Sequence, residues 1–156
     1  MRTVEPSSGS VRIREASVDD VAVLAPLFDG YRQFYEQTPD LAASRKFLSD
    51  RLARAESRVL VAEEGDRAVG FVQLYPLFSS LSMGPIFVLN DLYVDPTLRK
   101  KGVGARLLKA ARDLAVDAGA HYLTLSTAVD NPAQRLYESM GWKLDREFLY
   151  YELPLR

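Results

Sequence analysis

The sequence predicts an α/β fold in which one mixed sheet of about seven strands is covered by about four helices. Three observations carry this. Short alternating or apolar runs exchange with segments of helical apolar spacing in the order β-α-α-β-β-β-α-β-α-β-β. Capping residues, prolines and glycines punctuate that order at the places where helices should start and stop. The chain has 156 residues, 47% of them hydrophobic, which suits one domain with a proper core. No repeats, linkers or low-complexity tracts interrupt it. The domain is expected over 11–156, after a flexible, polar segment at 1–10 with Pro6, Gly9 and three serines.

Val11 to Arg14 alternates and reads as the first strand. Ser17 and Asp20 have capping-box spacing, and Val18, Val21, Ala25, Phe28 and Tyr31 follow at helical intervals. Pro26 should kink or break that helix, because its ring removes one amide donor and crowds the preceding turn. Thr38-Pro39-Asp40 starts a second helix, with Phe47, Leu48, Leu52 and Ala55 inward. Arg58 to Ala62 and Arg67 to Tyr75, separated by Gly65-Asp66, read as a hairpin. A serine-rich loop, Phe78 to Gly84, leads to a central apolar strand over Ile86 to Val94. The next helix carries Val103, Leu107, Ala111, Leu114 and Ala118 on one stripe and stops at Gly119. Tyr122 to Ser126 follows as a strand, about Pro132 to Met140 as a short helix, and Lys143 to Leu153 as a strand pair turning near Arg146.

Composition excludes several functions. A net charge of −1 provides no global basic field for sequence-independent nucleic-acid binding. Zero cysteines remove disulfides, thiolate metal sites and a cysteine nucleophile, and the single histidine, His121, argues against an imidazole metal site or a serine triad. No metal is therefore expected, and His121 reads as structural. With no long apolar run and no signal peptide, a cytoplasmic protein away from membranes is expected.

The informative stretch lies between Leu92 and Leu108. The central strand stops at Asp95-Pro96, crosses Arg99-Lys100-Lys101 and enters a helix through Gly102-Val103-Gly104-Ala105. The first amides of a helix lack intrahelical partners and share the positive end of its dipole, so a phosphate can sit there. Glycines let its oxygens approach and permit φ > 0. A lone Gly-x-Gly or a basic triplet is ordinary in a turn, but here both stand in one register. No Gly-Lys-Ser/Thr follows, and Leu107 stands where a dinucleotide fingerprint requires its third glycine.

Leu92-Tyr93-Val94, Asp95-Pro96 and Arg99-Lys-Lys-Gly102-Val-Gly104 resemble the Arg/Gln-x-x-Gly-x-Gly/Ala signature of the GNAT superfamily of N-acetyltransferases. Downstream, Asp130-Asn131-Pro-Ala-Gln-Arg-Leu136-Tyr137-Glu-Ser-Met-Gly141-Trp142 resembles that superfamily's later helix. The resemblance extends over Val11 to Leu153. It implies a GNAT-type sheet whose central and next parallel strands splay apart to admit acetyl-coenzyme A. The pyrophosphate would lie on Arg99, Lys100, Lys101, Gly102, Val103, Gly104 and Ala105, and the pantetheine arm along Leu92, Tyr93 and Val94. Tyr137 would protonate the departing thiolate.

Acetyl transfer also needs a neutral amine, and an alkylammonium has pKa about 10. Asp91 is the candidate base, with Asn90 beside it; polyamine-acetylating relatives carry a glutamate where Asn90 stands. A carboxylate merely satisfied by neighbouring backbone amides is the alternative reading of Asp91. Relatives place an asparagine seven residues before the tyrosine, the position of Asp130 here, so either Asp130 or Asn131 touches the coenzyme or the segment is a helix cap. Tyr31 and Tyr35, four apart, would share one face and wall the acceptor pocket with Asn90, suiting a cationic amine; a core role is the alternative. Trp142 should seal the base after Gly141.

The implied function is an acetyl-coenzyme A dependent N-acetyltransferase acting on a primary amine of a small molecule or peptide by direct attack in a ternary complex. The branch resembled is that of polyamine and histone-tail acetylating enzymes, and a homodimer through the last strands is expected. The rival reading is a non-catalytic acyl-coenzyme A binding module.

Overall fold

The computed structural model describes residues 11–156; the expectation for 1–10 lies outside the described residues. The chain divides into two compact units, the first ending at Ser126 and the second comprising Thr127–Arg156. The first holds strand β1 (Arg12–Glu15), helices α1 (Val21–Phe34) and α2 (Leu41–Ala53), strands β2 (Arg58–Glu64), β3 (Arg67–Ser79) and β4 (Gly84–Val94), helix α3 (Val103–Asp117) and strand β5 (Leu123–Thr124). These strands form one sheet in the order β1-β2-β3-β4-β5, antiparallel except for the parallel β4–β5 pair.

Local chemistry explains the borders. Ser17 and Asp20 form the capping box, on a short 3₁₀ turn over Val18–Asp20 that precedes α1. Asp40 caps α2 by accepting from the Ala43 amide. Leu24, Ala25, Leu27 and Phe28 of α1 are buried with Leu48 of α2, Val59, Val61 and Phe71, which sets one core on one face of the sheet. Helix α3 buries Val103, Leu107, Leu108, Ala111, Leu114 and Ala115 and packs on β2, β3 and β4. The α1–α2 junction is fixed by a buried carboxylate: Asp29 Oδ1 accepts from the Asp40 amide (3.0 Å) and Ser44 Oγ (2.9 Å), and Oδ2 from Gln33 Nε2 (3.0 Å).

The α/β class stands, with five strands among the described residues instead of about seven. Lys143 to Leu153 forms no strand there, because a strand needs a ladder partner and the segment's bonds are local: Asp145 Oδ1 accepts from the Glu147 (2.9 Å) and Phe148 (3.1 Å) amides. That bond pair is the turn expected near Arg146. Pro26 does not break α1, which runs through it; the helix loses one amide bond and keeps its buried side. The serine-rich loop is shorter than expected, since β3 and β4 pair out to Ser79 and Gly84 and leave only residues 80–83 as the turn. Ala55 and Ala118 fall outside their helices and are exposed, and Phe47 stays partly exposed while stacking on Phe28 at 5.5 Å. Strand β5 has two residues, shorter than Tyr122 to Ser126.

In the second unit, α4 (Gln134–Ser139) ends in a left-handed glycine. Gly141 has φ 93°, its amide reaches Glu138 O (3.1 Å) and the Trp142 amide reaches Tyr137 O (3.1 Å). This is a Schellman closure, and the Trp142 ring packs on Tyr137 with centroids 6.1 Å apart. The spacing from Tyr137 to Gly141-Trp142 is thereby a helix-ending device.

Candidate active site

The Gly102 loop adopts the geometry an anion cradle needs. Gly102 is the N-cap of α3 at φ 81°, with no side chain capping the helix and nothing within 4 Å of where a Cβ would stand. The amides of Val103, Gly104 and Ala105 thus head α3 without intrahelical partners. Lys100 also has positive φ (63°), so the loop turns twice through left-handed backbone, as concave amide nests do. The loop's acid is neutralised: Asp95 accepts from the Thr97 amide (2.9 Å) and Thr97 Oγ1 (2.6 Å) and pairs with Arg67, all of which hold it below its ordinary pKa. Among the described residues Lys100 and Lys101 form no ion pair, so their charge is available to a phosphate. Arg99 lies across the rim; its Nε donates to Val94 O (3.0 Å) and its Cζ stands over the Tyr93 (5.4 Å) and Phe34 (5.7 Å) rings.

A backbone slot adjoins the cradle. Strand β5 pairs only with Phe87 and Val88, so the β4 edge over 89–94 has no strand partner on that side among the described residues. Leu92, Tyr93 and Val94 therefore expose ladder groups that an extended amide chain can use. The cradle and the slot fit a pyrophosphate joined to a diamide arm such as that of coenzyme A. Tyr93 turns its side chain toward α1, where Gly30 makes room: a Cβ at Gly30 would stand 3.1 Å from the phenol oxygen.

A β-bulge places Asp91. Gln73 pairs with Asp91, but Leu74 pairs with Leu89, leaving Asn90 unpaired in the ladder. The extra residue puts Asp91 and Leu89 on opposite faces, and Asp91 enters the α1 side while only 1% exposed. Its Oδ1 accepts from Asn90 Nδ2 (2.7 Å) and its Oδ2 from Gln73 Nε2 (2.5 Å). Burial raises its pKa, and the bonds from Asn90, Gln73 and Tyr31 oppose that rise without cancelling it. The donors to Asp91 are thus side-chain carboxamides and not the backbone amides of the alternative reading.

Tyr31 donates to Asn90 O (3.1 Å), and its phenol is pushed up chiefly by burial and then by the Asp91 charge. Tyr35 packs against Tyr31 with centroids 5.1 Å apart, so the two share a face as their spacing implies; Tyr35 is the more exposed. Tyr31 also packs on Phe28 and Phe71, so it belongs at once to the core edge and to the Asp91 cluster. Tyr75 is a further phenol raised by burial and by Asp91.

The first unit thus brings together Tyr31, Tyr35, Asn90 and Asp91, and sets Leu92 to Ala105 along one strand, loop and helix start. Tyr137 on α4 and Asn131 belong to the second unit. Asn131 Oδ1 accepts from the Ala133 amide (2.9 Å), a turn bond ahead of α4, whose N-cap is Ala133 and has no side-chain cap. His121 packs against Gly84, where an added Cβ would run into the imidazole, and its amide donates to Pro85 O (2.9 Å), a structural role. Among the described residues no cluster of His, Asp and Glu could hold a metal ion, and no helix is long and apolar enough to cross a membrane. Sequence reasoning missed Gln73, Tyr75 and the bulge. A lone glutamine inside the apolar run Gly70-Phe-Val-Gln-Leu-Tyr75 was the available signal for the first.

Residues 24–142 match the model of the acetyltransferase (GNAT) family. The chain is 49% identical over 142 residues to the uncharacterized N-acetyltransferase YhfO of Bacillus subtilis (strain 168), covering 90% of this chain and 95% of that one. A crystal structure of a probable acetyltransferase superposes with a TM-score of 0.88 at 44% identity, covering 93% of this chain and 98% of that one. At lower identity, the chain resembles aminoglycoside N(6')-acetyltransferase type 1 of Stenotrophomonas maltophilia (28%, covering 92% and 93%). It resembles thialysine N-epsilon-acetyltransferase of Bos taurus as well (29%, covering 84% and 83%).

Proposed function

The chain belongs to the acetyltransferase (GNAT) family and is an N-acetyltransferase, and from that premise we propose that it acetylates a primary amine of a small molecule or peptide by direct attack on acetyl-coenzyme A in a ternary complex. The observation that carries this is the buried Asp91 carboxylate, held beside Tyr31 at the β4 bulge and next to the unpaired edge that leads into the Gly102 cradle.

In this reading the cosubstrate's pyrophosphate takes the amides of Val103, Gly104 and Ala105 and the charges of Arg99, Lys100 and Lys101. Its pantetheine arm pairs along Leu92 to Val94, with Asn131 a further contact. The acceptor enters as an ammonium between Tyr31, Tyr35 and Asn90 and gives one proton to Asp91. Its nitrogen lone pair then forms the new C–N bond at the thioester carbonyl. When the tetrahedral adduct collapses, the C–S bond breaks, its electron pair stays on sulfur, the Tyr137 phenol protonates the thiolate, and the second proton shed by the nitrogen returns to the phenolate through solvent. Asp91 suits the first step because burial raises its affinity for a proton while its hydrogen bonds keep the ionised form accessible. With no cysteine in the chain, no thiol is present to carry an acyl-enzyme.

Aminoglycosides and thialysine, which the names of two relatives specify, set the range of amines to test: amino sugars, amino acids, polyamines and lysine peptides. Calorimetric titration with acetyl-coenzyme A followed by a free-thiol release assay across that panel tests the reading. Micromolar binding with thiol release on one amine class is the expected result. Binding with no turnover on any amine would indicate the non-catalytic acyl-coenzyme A module instead, and an absence of binding would remove the cradle from the argument. A cytoplasmic homodimer completes the proposal, joined through the apolar stretch Phe148-Leu149-Tyr150-Tyr151; a monomer in sedimentation at micromolar concentration refutes the dimer.

A further inference from the structure

We propose that Gln73 is the positioning residue that holds Asp91 through its change of protonation, donating its amide to the carboxylate and, turned over, offering its carbonyl to the acid. The proposal rests on the reading of Asp91 as the base. Gln73 lies on β3 directly across from Asp91 in the ladder and is fully buried. Nε2 donates to Asp91 Oδ2, yet Oε1 is buried with no hydrogen-bond partner. Such an orphan is costly, and an apolar side chain of the same length would fill the space without it. A group that must serve two states of its neighbour explains the expense.

The carboxylate has only acceptors, so it takes the NH₂ end of the amide. Once Asp91 has received a proton on Oδ2 it has a donor to place, and the donor needs an acceptor. Rotation of the Gln73 amide by half a turn about its last side-chain bond presents Oε1, and no backbone movement is required. Asn90 Nδ2 keeps Oδ1 throughout. The other titratable groups that face Asp91 are phenols, Tyr31 from α1 and Tyr75 from β3, both pushed toward their neutral form. From α2, the Arg51 charge bears on Tyr75. Gln73 and Asn90 are therefore the main adjustable supports of the ionised state.

The test is a carboxyl carbon-13 NMR titration of Asp91 in the full-length protein, its resonance assigned by its loss in Asp91→Asn. In the native protein the midpoint should lie above the ordinary carboxylate range. Gln73→Met keeps the length and removes both donor and acceptor. Charge-assisted bonds are about twice as strong as neutral ones, so losing the bond to the carboxylate outweighs losing the bond to the acid. The midpoint is expected to rise further by about one pH unit. Gln73→Asn, which withdraws the amide by one methylene, should move it in the same direction and serves where methionine does not fold. An unmoved midpoint in a folded variant overturns the role of Gln73. An Asp91→Asn enzyme that releases thiol at the native rate overturns the base reading instead, while the titration still reports on Gln73.

Discussion

Replacing Gly102 by alanine separates the backbone conformation of the cradle from its chemistry. At φ 81° an L-residue suffers contact between Cβ and its own carbonyl, at about 1–2 kcal/mol. Nothing else lies within 4 Å of the added methyl, so no clash adds to that strain. The folded chain can keep the strain or let the loop relax and turn the amides of Val103, Gly104 and Ala105 away. For a domain of this size 1–2 kcal/mol lowers Tm by roughly 2–8 °C. If the free loop relaxes fully, acetyl-coenzyme A must restore the strained form, and Kd weakens by up to roughly 5- to 30-fold. Gly65→Ala is the control: φ is 60° at the β2–β3 turn, and the space around it is equally open. Scanning calorimetry should show Gly65→Ala losing only stability, while Gly102→Ala should divide its cost between a lowered Tm and a weaker coenzyme Kd in titration calorimetry. A Gly102→Ala protein with both Tm and Kd unchanged would refute the left-handed strain argued for this backbone.

Other outcomes follow from the same cluster and from the sheet edge. Tyr137→Phe should lower kcat by more than about tenfold with little change in coenzyme KM, measured by thiol release, and an unaltered kcat removes the phenol from the mechanism. Asp91→Asn should raise Tm above neutral pH while reducing turnover. The folded pKa of Asp91 is raised, so its ionisation opposes folding at high pH, and the gain should vanish as pH falls below the unfolded value near 4. Glu63 and Asp20 carry the opposite sign: bonds from Arg14 depress both, so their contribution is present above the unfolded values and is lost as pH falls through the folded ones. Arg14→Met should therefore destabilise by roughly 1 kcal/mol at neutral pH and by nothing once both acids are protonated, which acid titration of the unfolding transition would show.

Helices were the most legible part of the fold, because their caps and stripes are local: Ser17, Asp40, Gly102 and the α3 stripe all act within a few residues of themselves. Pro26 misled because a single lost amide bond is small beside the burial of Leu24, Leu27 and Phe28. Strand lengths were harder to read. Residues 76–79 become strand only because residues 84–87 lie opposite, a fact about pairing that composition does not carry. The candidate site divides in the same way. The cradle could be read from Arg99 to Gly104 because helix-end chemistry is contiguous in sequence. Gln73 could not, since its meaning comes from Asp91, eighteen residues away across the ladder.

The single unpaired residue in β4 gives that strand two phases joined at a seam. On one side of Asn90 the odd-numbered Phe87 and Leu89 share a face; on the other, the odd-numbered Asp91 and Tyr93 occupy the opposite one. Pairing Asn90 into the ladder would restore a uniform parity and send either the acid and its tyrosine neighbour or two core residues through to the wrong side of the sheet, whereas deleting Asn90 would leave Leu89 and Asp91 adjacent and still on opposite faces. The placement of Asp91 is thus bound to the point where the ladder skips a residue as firmly as to the identity of its side chain, and one-residue insertions or deletions elsewhere in this stretch should be resisted even where substitutions are accepted.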